Sequence, residues 1–211
     1  MQSTWTLPEG YGQKYLIDLK DNKKQFWIVN GLSIAIMLLL LAGFFQLMWY
    51  GFMELHFEGL PVQALVMLGG MIAYIPLHEL VHGVCIRRFS GKKAKYGFTL
   101  VYAYAGSDCY FNKRDYLIIA AAPVVFWGIV FLFLLFLLPV NWRWVPYVWE
   151  LFNLSGAAGD FYVFHRLRKE SDAILCEIVV DAAEHLVRLR LVLQKIEGEE
   201  RIIRRPVQNL T

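Results

Sequence analysis

Residues 34–41 read Ile-Ala-Ile-Met-Leu-Leu-Leu-Leu and lie within 29 consecutive residues, 25–53, that carry no acidic or basic side chain. A transmembrane helix needs about 20 apolar residues to cross the hydrocarbon core of a bilayer. The stretch therefore predicts a membrane-spanning helix. A second uncharged stretch of 27 residues, from Tyr116 to Trp142, predicts another.

Two further apolar stretches carry a few ionisable side chains. The first covers residues 59–86 and holds two histidines and one glutamate, and the second covers Trp144–Phe164 and holds Glu150 and Asp160. Together with the two uncharged stretches, they predict an all-α polytopic membrane protein with about four transmembrane helices.

The overall composition favours the same class of protein. Of the 211 residues, 57% are hydrophobic and 18% are charged, which excludes a disordered chain and argues against an ordinary soluble domain. The three cysteines, Cys85, Cys109 and Cys176, are odd in number and widely spaced. They predict reduced thiols rather than a disulfide framework or a Cys-x-x-Cys zinc site.

Lysine and arginine are unevenly distributed along the chain. Four lie before the first apolar stretch, seven lie between the second and third, nine lie after residue 164, and Arg143 alone lies in the remaining loops. Cytoplasmic segments retain positive charge, so both termini of this multi-pass integral membrane protein are expected to be cytoplasmic. The expected division is an N-terminal cytoplasmic segment, 1–25, a four-helix transmembrane domain, 26–164, with a cytoplasmic insert, 88–115, and a cytoplasmic tail, 165–211.

The insert and the tail have weaker patterns than the helices. Between residues 92 and 115 the insert is rich in Tyr, Gly and Phe, which favours a small β-structure against the membrane face. In the tail, residues 172–196 repeat apolar side chains at helical spacing, yet Val187–Leu191 alternates like a strand. The sequence of the tail is therefore compatible with either a helix or a strand.

His78, Glu79 and His82 form the sequence His-Glu-x-x-His within the second apolar stretch. On a helix the i, i+4 spacing places both imidazoles on one face, about one turn apart. Two such imidazoles can bind zinc and leave Glu79 beside the metal to take a proton from water. Ionisable side chains within a membrane helix are costly and are by default functional. The motif predicts a catalytic metal site, and the alternative is a buried polar cluster that joins helices.

Asp160 is the expected third ligand of this metal. His78 precedes Arg87 by nine residues and Asp160 precedes Arg166 by six, so the two lie roughly 13 and 9 Å from the same membrane boundary. The small residues at 156–159 allow helices to approach closely. The alternative role of Asp160 is that of a hydrogen-bonded acid between helices.

Asn153 lies seven residues, about two helical turns, before Asp160 and is expected on the same helix face. We expect it to hydrogen-bond a substrate or to orient a metal ligand, and a simple bond between helices is the alternative. His165 and Cys85 are weaker rivals for the third ligand. The first fits an interfacial residue beside Arg166, and the second fits a packing residue.

The two motifs resemble those of the site-2 proteases, which are intramembrane zinc metalloproteases. In that family the His-Glu-x-x-His helix is followed by Asn-x-x-Pro-x-x-Leu-Asp-Gly, and this chain keeps Asn153 and Asp160 at that spacing. It has Gly156, Gly159 and Phe161 where the family has Pro, Leu and Gly.

Over nearly its full length the chain resembles more closely a group of small four-helix membrane proteins called putative zincin peptidases. The segments that carry the resemblance are Leu7–Tyr11, His78–Gly83, Lys95–Phe98, Ala122–Pro123 and Gly159–Asp160. The resemblance implies that His78, His82 and Asp160 bind zinc and that Glu79 is the catalytic base.

The expected function is that of a zinc metallopeptidase in the lipid bilayer. It would hydrolyse peptide bonds of membrane or membrane-adjacent polypeptides near the cytoplasmic side. A non-catalytic zinc-binding membrane scaffold is the alternative, a lipid hydrolase would use the same residues, and non-haem iron uses the same ligand types. A metal transporter fits poorly, because no second set of polar groups crosses the bilayer. Nucleic acid is not an expected partner, because the positive-inside pattern already explains the basic insert.

Overall fold

The computed structural model describes residues 3–17, 22–98, 103–181 and 186–194. Over these residues the chain forms helices and strands in the order β1 (Tyr11–Ile17), α1 (Lys23–Trp49), α2 (Leu60–Ser90), β2 (Lys95–Phe98), β3 (Ala103–Asn112), α3 (Lys113–Leu137), α4 (Trp144–Gly156), α5 (Ala158–Leu167), β4 (Leu175–Asp181) and β5 (Leu186–Gln194). The protein is mostly helical, as predicted. Its sheet has five strands and is larger than the small β-structure that was predicted for the insert of an all-α protein.

Helices α1, α2 and α3 are long and apolar enough to cross a membrane, with 27, 31 and 25 residues. At 1.5 Å per residue, each exceeds the roughly 30 Å thickness of the hydrocarbon core. Only 6% of the most apolar window of α1, and 6% of that of α2, is buried within the protein. Such exposed apolar surface is expected of a protein whose solvent there is lipid.

The sequence of α2 explains where this helix begins and ends. Gly59 precedes it with a φ of 99°, Pro61 lies in its first turn, and Gly91 follows it with a φ of 75°. Proline needs no hydrogen-bond partner in a first turn, and glycine adopts the left-handed conformation that ends a helix at little cost. Arg87 and Arg88 lie in the last turn, where positive charge is favourable to the helix dipole.

The predicted fourth transmembrane helix, Trp144–Phe164, is divided in the structure. Helix α4 ends at Gly156, Ala157 forms a turn, and α5 begins at the next residue. Two glycines, Gly156 and Gly159, flank the break, and a glycine costs a helix about 1 kcal/mol relative to alanine. With 13 and 10 residues the two pieces are short, and three helices rather than four qualify as spans among the described residues. The break places Asp160 in the first turn of α5.

The five strands form one sheet in the order β1-β5-β4-β3-β2, with antiparallel neighbours throughout. Strands β2 and β3 confirm the β-structure expected in the insert. The tail forms β4 and β5, which decides the open choice for that segment in favour of strands. Residues 195–211, the end of the predicted tail, lie outside the described residues. The sheet thus joins the N-terminal segment, the insert and the tail, which are far apart in the sequence.

The main apolar core lies where the sheet meets the ends of the helices. It includes residues from α2, β3, α3, α5 and β4, among them Ile86, Phe111, Ile119, Leu167 and Cys176. A second cluster, around Met53, Trp144 and Val145, lies where α4 begins.

All three cysteines are free, as predicted. Burial raises the pKa of the Cys109 thiol to about 11 and that of the Cys176 thiol to about 12. Both thiols therefore stay protonated and weakly nucleophilic at neutral pH.

Close packing of α2 against α4 predicts a difference between two adjacent glycines. A Cβ atom at Gly70 would lie 2.2 Å from the Trp149 indole, whereas one at Gly69 would meet nothing within 4 Å. Trp149 also donates a hydrogen bond of 3.0 Å to the Met67 carbonyl, which fixes its ring. We expect Gly70→Ala to destabilise the protein by about 1–3 kcal/mol through overpacking.

The measurement is thermal unfolding in detergent, with Gly69→Ala as the matched control. The control adds the same methyl group in the same helix, so its midpoint should equal or exceed that of the wild type. Equal midpoints for the two variants would show that α2 and α4 do not pack as described.

Candidate metal centre

The His-Glu-x-x-His motif lies in the second half of α2 and forms a compact group of donor atoms. One donor atom each from His78, Glu79 and His82 can be chosen so that all lie within 4.8 Å of one another. The two imidazole rings are 5.1 Å apart between centroids. Among the residues that the structure describes, these three side chains form the group that could hold a metal ion.

The ring of His82 is oriented by the backbone of α3. Its Nδ1 lies 2.9 Å from the carbonyl oxygen of Ile119, a residue that is 2% exposed. A carbonyl oxygen only accepts hydrogen bonds, so Nδ1 carries the proton and donates it. The other ring nitrogen, Nε2, then keeps a free lone pair for a metal.

The ring of His78 is oriented by a side chain one turn earlier on α2. Its Nδ1 lies 2.7 Å from the hydroxyl oxygen of Tyr74, and that hydroxyl donates a bond of 2.8 Å to Asn153 on α4. Tyr74 was not among the site residues predicted from the sequence. Its position four residues before His78, on the same helix face, is a local signal that could have identified it.

A cavity of about 290 Å³ adjoins these side chains. It is lined by the motif and by residues of β3, α3, the break between α4 and α5, and β4, namely His78, Glu79, His82, Ala103, Tyr104, Ala105, Tyr116, Ile119, Ala120, Gly156, Asp160 and Ile178. Ala103, Tyr104 and Ala105 of β3 line the same cavity as Glu79, so strand β3 covers one side of the motif. The cavity therefore lies where a candidate membrane span meets the sheet.

Asp160 lines this cavity with both histidines, although it lies outside the compact donor group around Glu79. The structure thus brings the expected third ligand to the same space as the first two. The rival His165 is exposed and lines a different groove beside Lys24 and Arg166. Cys85 is not among the residues that line the cavity.

Asn153 lies on α4 and Asp160 on α5, so the expectation that they share one helix face is wrong, because the chain turns at Ala157 between them. Asn153 is fully buried and bonds to Tyr74, to the Val124 carbonyl and to Glu150 rather than lining the cavity. These contacts favour a role in orienting a metal ligand over direct contact with a substrate.

The donor set fits a zinc ion. Two imidazoles have their Nδ1 atoms engaged as donors and their Nε2 atoms available, and carboxylates from α2 and α5 line the same space. Two imidazoles and one carboxylate suit a catalytic zinc site, in which three protein ligands leave one coordination position open.

Comparison with known families gives a match over residues 71–175, to the family described as "Putative zincin peptidase". The matched range begins just before Tyr74 and includes the motif of α2, strands β2 and β3, and Asp160. Neither the curated proteins nor the solved structures that were compared with the chain gave a match. Residues 71–175, which hold every side chain of the candidate metal centre, thus match the family so described.

Proposed function

We propose that the protein is a membrane-embedded zinc metalloprotease that cleaves membrane or membrane-adjacent polypeptides near the cytoplasmic side. The observation that carries the proposal is the group formed by His78, Glu79 and His82 in a cavity that Asp160 also lines. The match of residues 71–175 to the family described as "Putative zincin peptidase" supports the same chemistry. The proposed third ligand and the resemblance to site-2 proteases are part of this proposal.

The location of the cavity supports a substrate at the membrane surface. One wall belongs to α2 and α3, which are long enough to cross a membrane, and another belongs to β3 and β4 of the sheet. A polypeptide that leaves the bilayer beside the sheet could reach Glu79 without crossing the apolar surface of the helices.

Each residue then has a defined role. His78, His82 and Asp160 would hold zinc, which when bound supplies a Lewis acid that makes a water molecule acidic near neutral pH. The Glu79 carboxylate accepts the proton that the attacking water loses and then delivers it to the leaving amine of the peptide. Ala105 of β3 lines the same cavity as Glu79.

The test is peptide-bond hydrolysis by purified protein reconstituted in liposomes with membrane vesicles as the source of substrates. We expect new polypeptide N-termini, detected by mass spectrometry, that disappear with a zinc chelator such as phenanthroline and return when zinc is restored. Protein that contains one zinc ion per chain but generates no new N-termini would instead support a non-catalytic zinc-binding scaffold.

A further inference from the structure

The orientation of the Asn153 side-chain amide is fixed by two acceptors. Its Nδ2 lies 3.1 Å from the Val124 carbonyl oxygen on α3 and 3.1 Å from a carboxylate oxygen of Glu150 on α4. Both partners accept hydrogen bonds, so the NH₂ group must face them. The amide oxygen of Asn153 therefore faces Tyr74, and since Asn153 is fully buried, water does not compete for it.

This orientation sets the direction of the next two hydrogen bonds. The Tyr74 hydroxyl has one hydrogen, and it donates that hydrogen to the Asn153 amide oxygen at 2.8 Å. The 2.7 Å contact between the same hydroxyl and His78 Nδ1 must then be donated by the imidazole. His78 is thereby held with a proton on Nδ1 and a free lone pair on Nε2, which is the form that binds a metal.

The ring of Tyr74 is held in place by aromatic packing as well as by its hydroxyl. Its centroid lies 5.8 Å from that of Trp127 and 5.7 Å from that of Phe131, both on α3. The hydroxyl oxygen of Tyr74 is thus held between Asn153 and His78. The relay from Asn153 through Tyr74 to His78 spans α4 and α2, while the ring contacts tie it to α3.

The two histidines differ in what determines which ring nitrogen carries the proton. His82 donates to a backbone carbonyl, an acceptor that cannot change role. His78 donates to a hydroxyl, which can donate or accept, so only the Asn153 amide oxygen keeps that hydroxyl in the accepting role. Without Asn153, the Tyr74 hydroxyl could donate to Nδ1, and the proton of a neutral His78 would then lie on Nε2.

We propose that Tyr74 is a positioning residue for zinc, and that Asn153 acts through it to present the Nε2 atom of His78 to the metal. This inference rests on the zinc site of the proposed function and adds to it a determinant of metal affinity that is independent of catalysis. Partners that orient metal-binding histidines typically contribute 10- to 100-fold to affinity.

The primary test is the zinc affinity of Tyr74→Phe, measured at equilibrium by competition with a chelator of known affinity. We expect its zinc dissociation constant to rise about 10- to 100-fold. With cobalt(II) in place of zinc, we also expect the visible absorption spectrum to shift, because the imidazole of His78 is no longer fixed. Neither measurement depends on a substrate.

Tyr147→Phe is the matched control. It removes a hydroxyl that likewise donates a hydrogen bond, of 2.7 Å, to the Leu40 carbonyl, and it joins α4 to α1 away from the cavity. Its zinc dissociation constant should equal that of the wild type. An equal loss of affinity in both variants would indicate a general packing defect and overturn the proposal.

A double-mutant cycle separates this relay from a merely structural role. Asn153→Leu with Tyr74 intact should weaken zinc binding at least as much as Tyr74→Phe, because the hydroxyl then competes for Nδ1. Adding Tyr74→Phe to Asn153→Leu should cause little further loss, since the two residues act in series. Fully additive losses would contradict the relay.

The outcomes also separate this inference from the proposed function. Wild-type zinc affinity and an unchanged cobalt spectrum in Tyr74→Phe would overturn the relay and leave the zinc site standing. A folded wild-type protein that binds no zinc would overturn the proposed function and the relay with it.

Discussion

Replacing Glu79 by Gln is expected to lower the rate of peptide-bond hydrolysis by about 10²- to 10⁴-fold, the usual contribution of a general acid–base group. Glutamine has nearly the same size as glutamate, but it cannot take a proton from water. The amount of bound zinc should stay near that of the wild type, because the proposed ligands His78, His82 and Asp160 are unchanged. The measurements are the rate of appearance of new N-termini and the zinc content by elemental analysis.

Glu54→Gln is the control for this variant. Glu54 lies in the loop between α1 and α2, is exposed, and pairs with His56 at 2.8 Å, so the same change there should leave the rate unaffected. Undiminished hydrolysis by Glu79→Gln would exclude Glu79 as the base and with it the proposed mechanism. Loss of both zinc and activity would instead make Glu79 a ligand or a structural group.

Replacing His82 or His78 by Ala is expected to weaken zinc binding by about 100-fold or more. Zinc binding in protein sites amounts to about 10–16 kcal/mol, so the loss of one of about four ligands costs roughly 3 kcal/mol or more. Purified protein at ordinary concentrations should then contain far less than one zinc ion per chain. Elemental analysis of the variants beside the wild type measures this directly.

His56→Ala is the matched control, because His56 is an exposed histidine with a carboxylate partner and lies outside the cavity. Its zinc content should equal that of the wild type. Full zinc content in both His78→Ala and His82→Ala would show that the metal does not bind to these two histidines of α2.

Asp160→Ala tests the proposed third ligand in the same assay. A loss comparable with that of the histidine variants is expected if Asp160 and the two histidines hold one ion. Wild-type affinity in Asp160→Ala would remove it from the ligand set and weaken the link to site-2 proteases. The two histidines would then still define the metal site.

Local sequence spacing was sufficient for the parts of the site that lie on one helix. The i, i+4 separation of His78 and His82 fixes their relative position because a helix repeats every 3.6 residues, whatever packs around it. The uncharged stretches located α1 and α3 for a similar reason, since the bilayer selects on length and polarity alone. Counting residues from Asp160 to the basic boundary predicted that it lies near the motif, and Asp160 does line the same cavity as His78 and His82.

Features that depend on several segments were predicted incompletely. The prediction that Asn153 and Asp160 share a helix face required one continuous helix. The chain instead turns at Ala157, which separates α4 from α5. Glycines near a break favour it but do not decide it, because packing against neighbouring helices can keep such a stretch helical. The spacing of the tail was compatible with a helix or a strand, and only pairing with β3 and β1 made it part of a sheet.

The sequence by itself determined the membrane class, the His-Glu-x-x-His donors and the candidate third carboxylate, because each depends on local composition or on distance along one helix. The tertiary structure alone decided the division of α4 from α5, the pairing of Tyr11 with Gln194 across the sheet, and the partners of the two imidazoles. Those partners are the Ile119 carbonyl and the Tyr74 hydroxyl held by Asn153. A hydrogen bond between distant segments depends on how helices and strands pack, and no periodicity within a single segment specifies that packing.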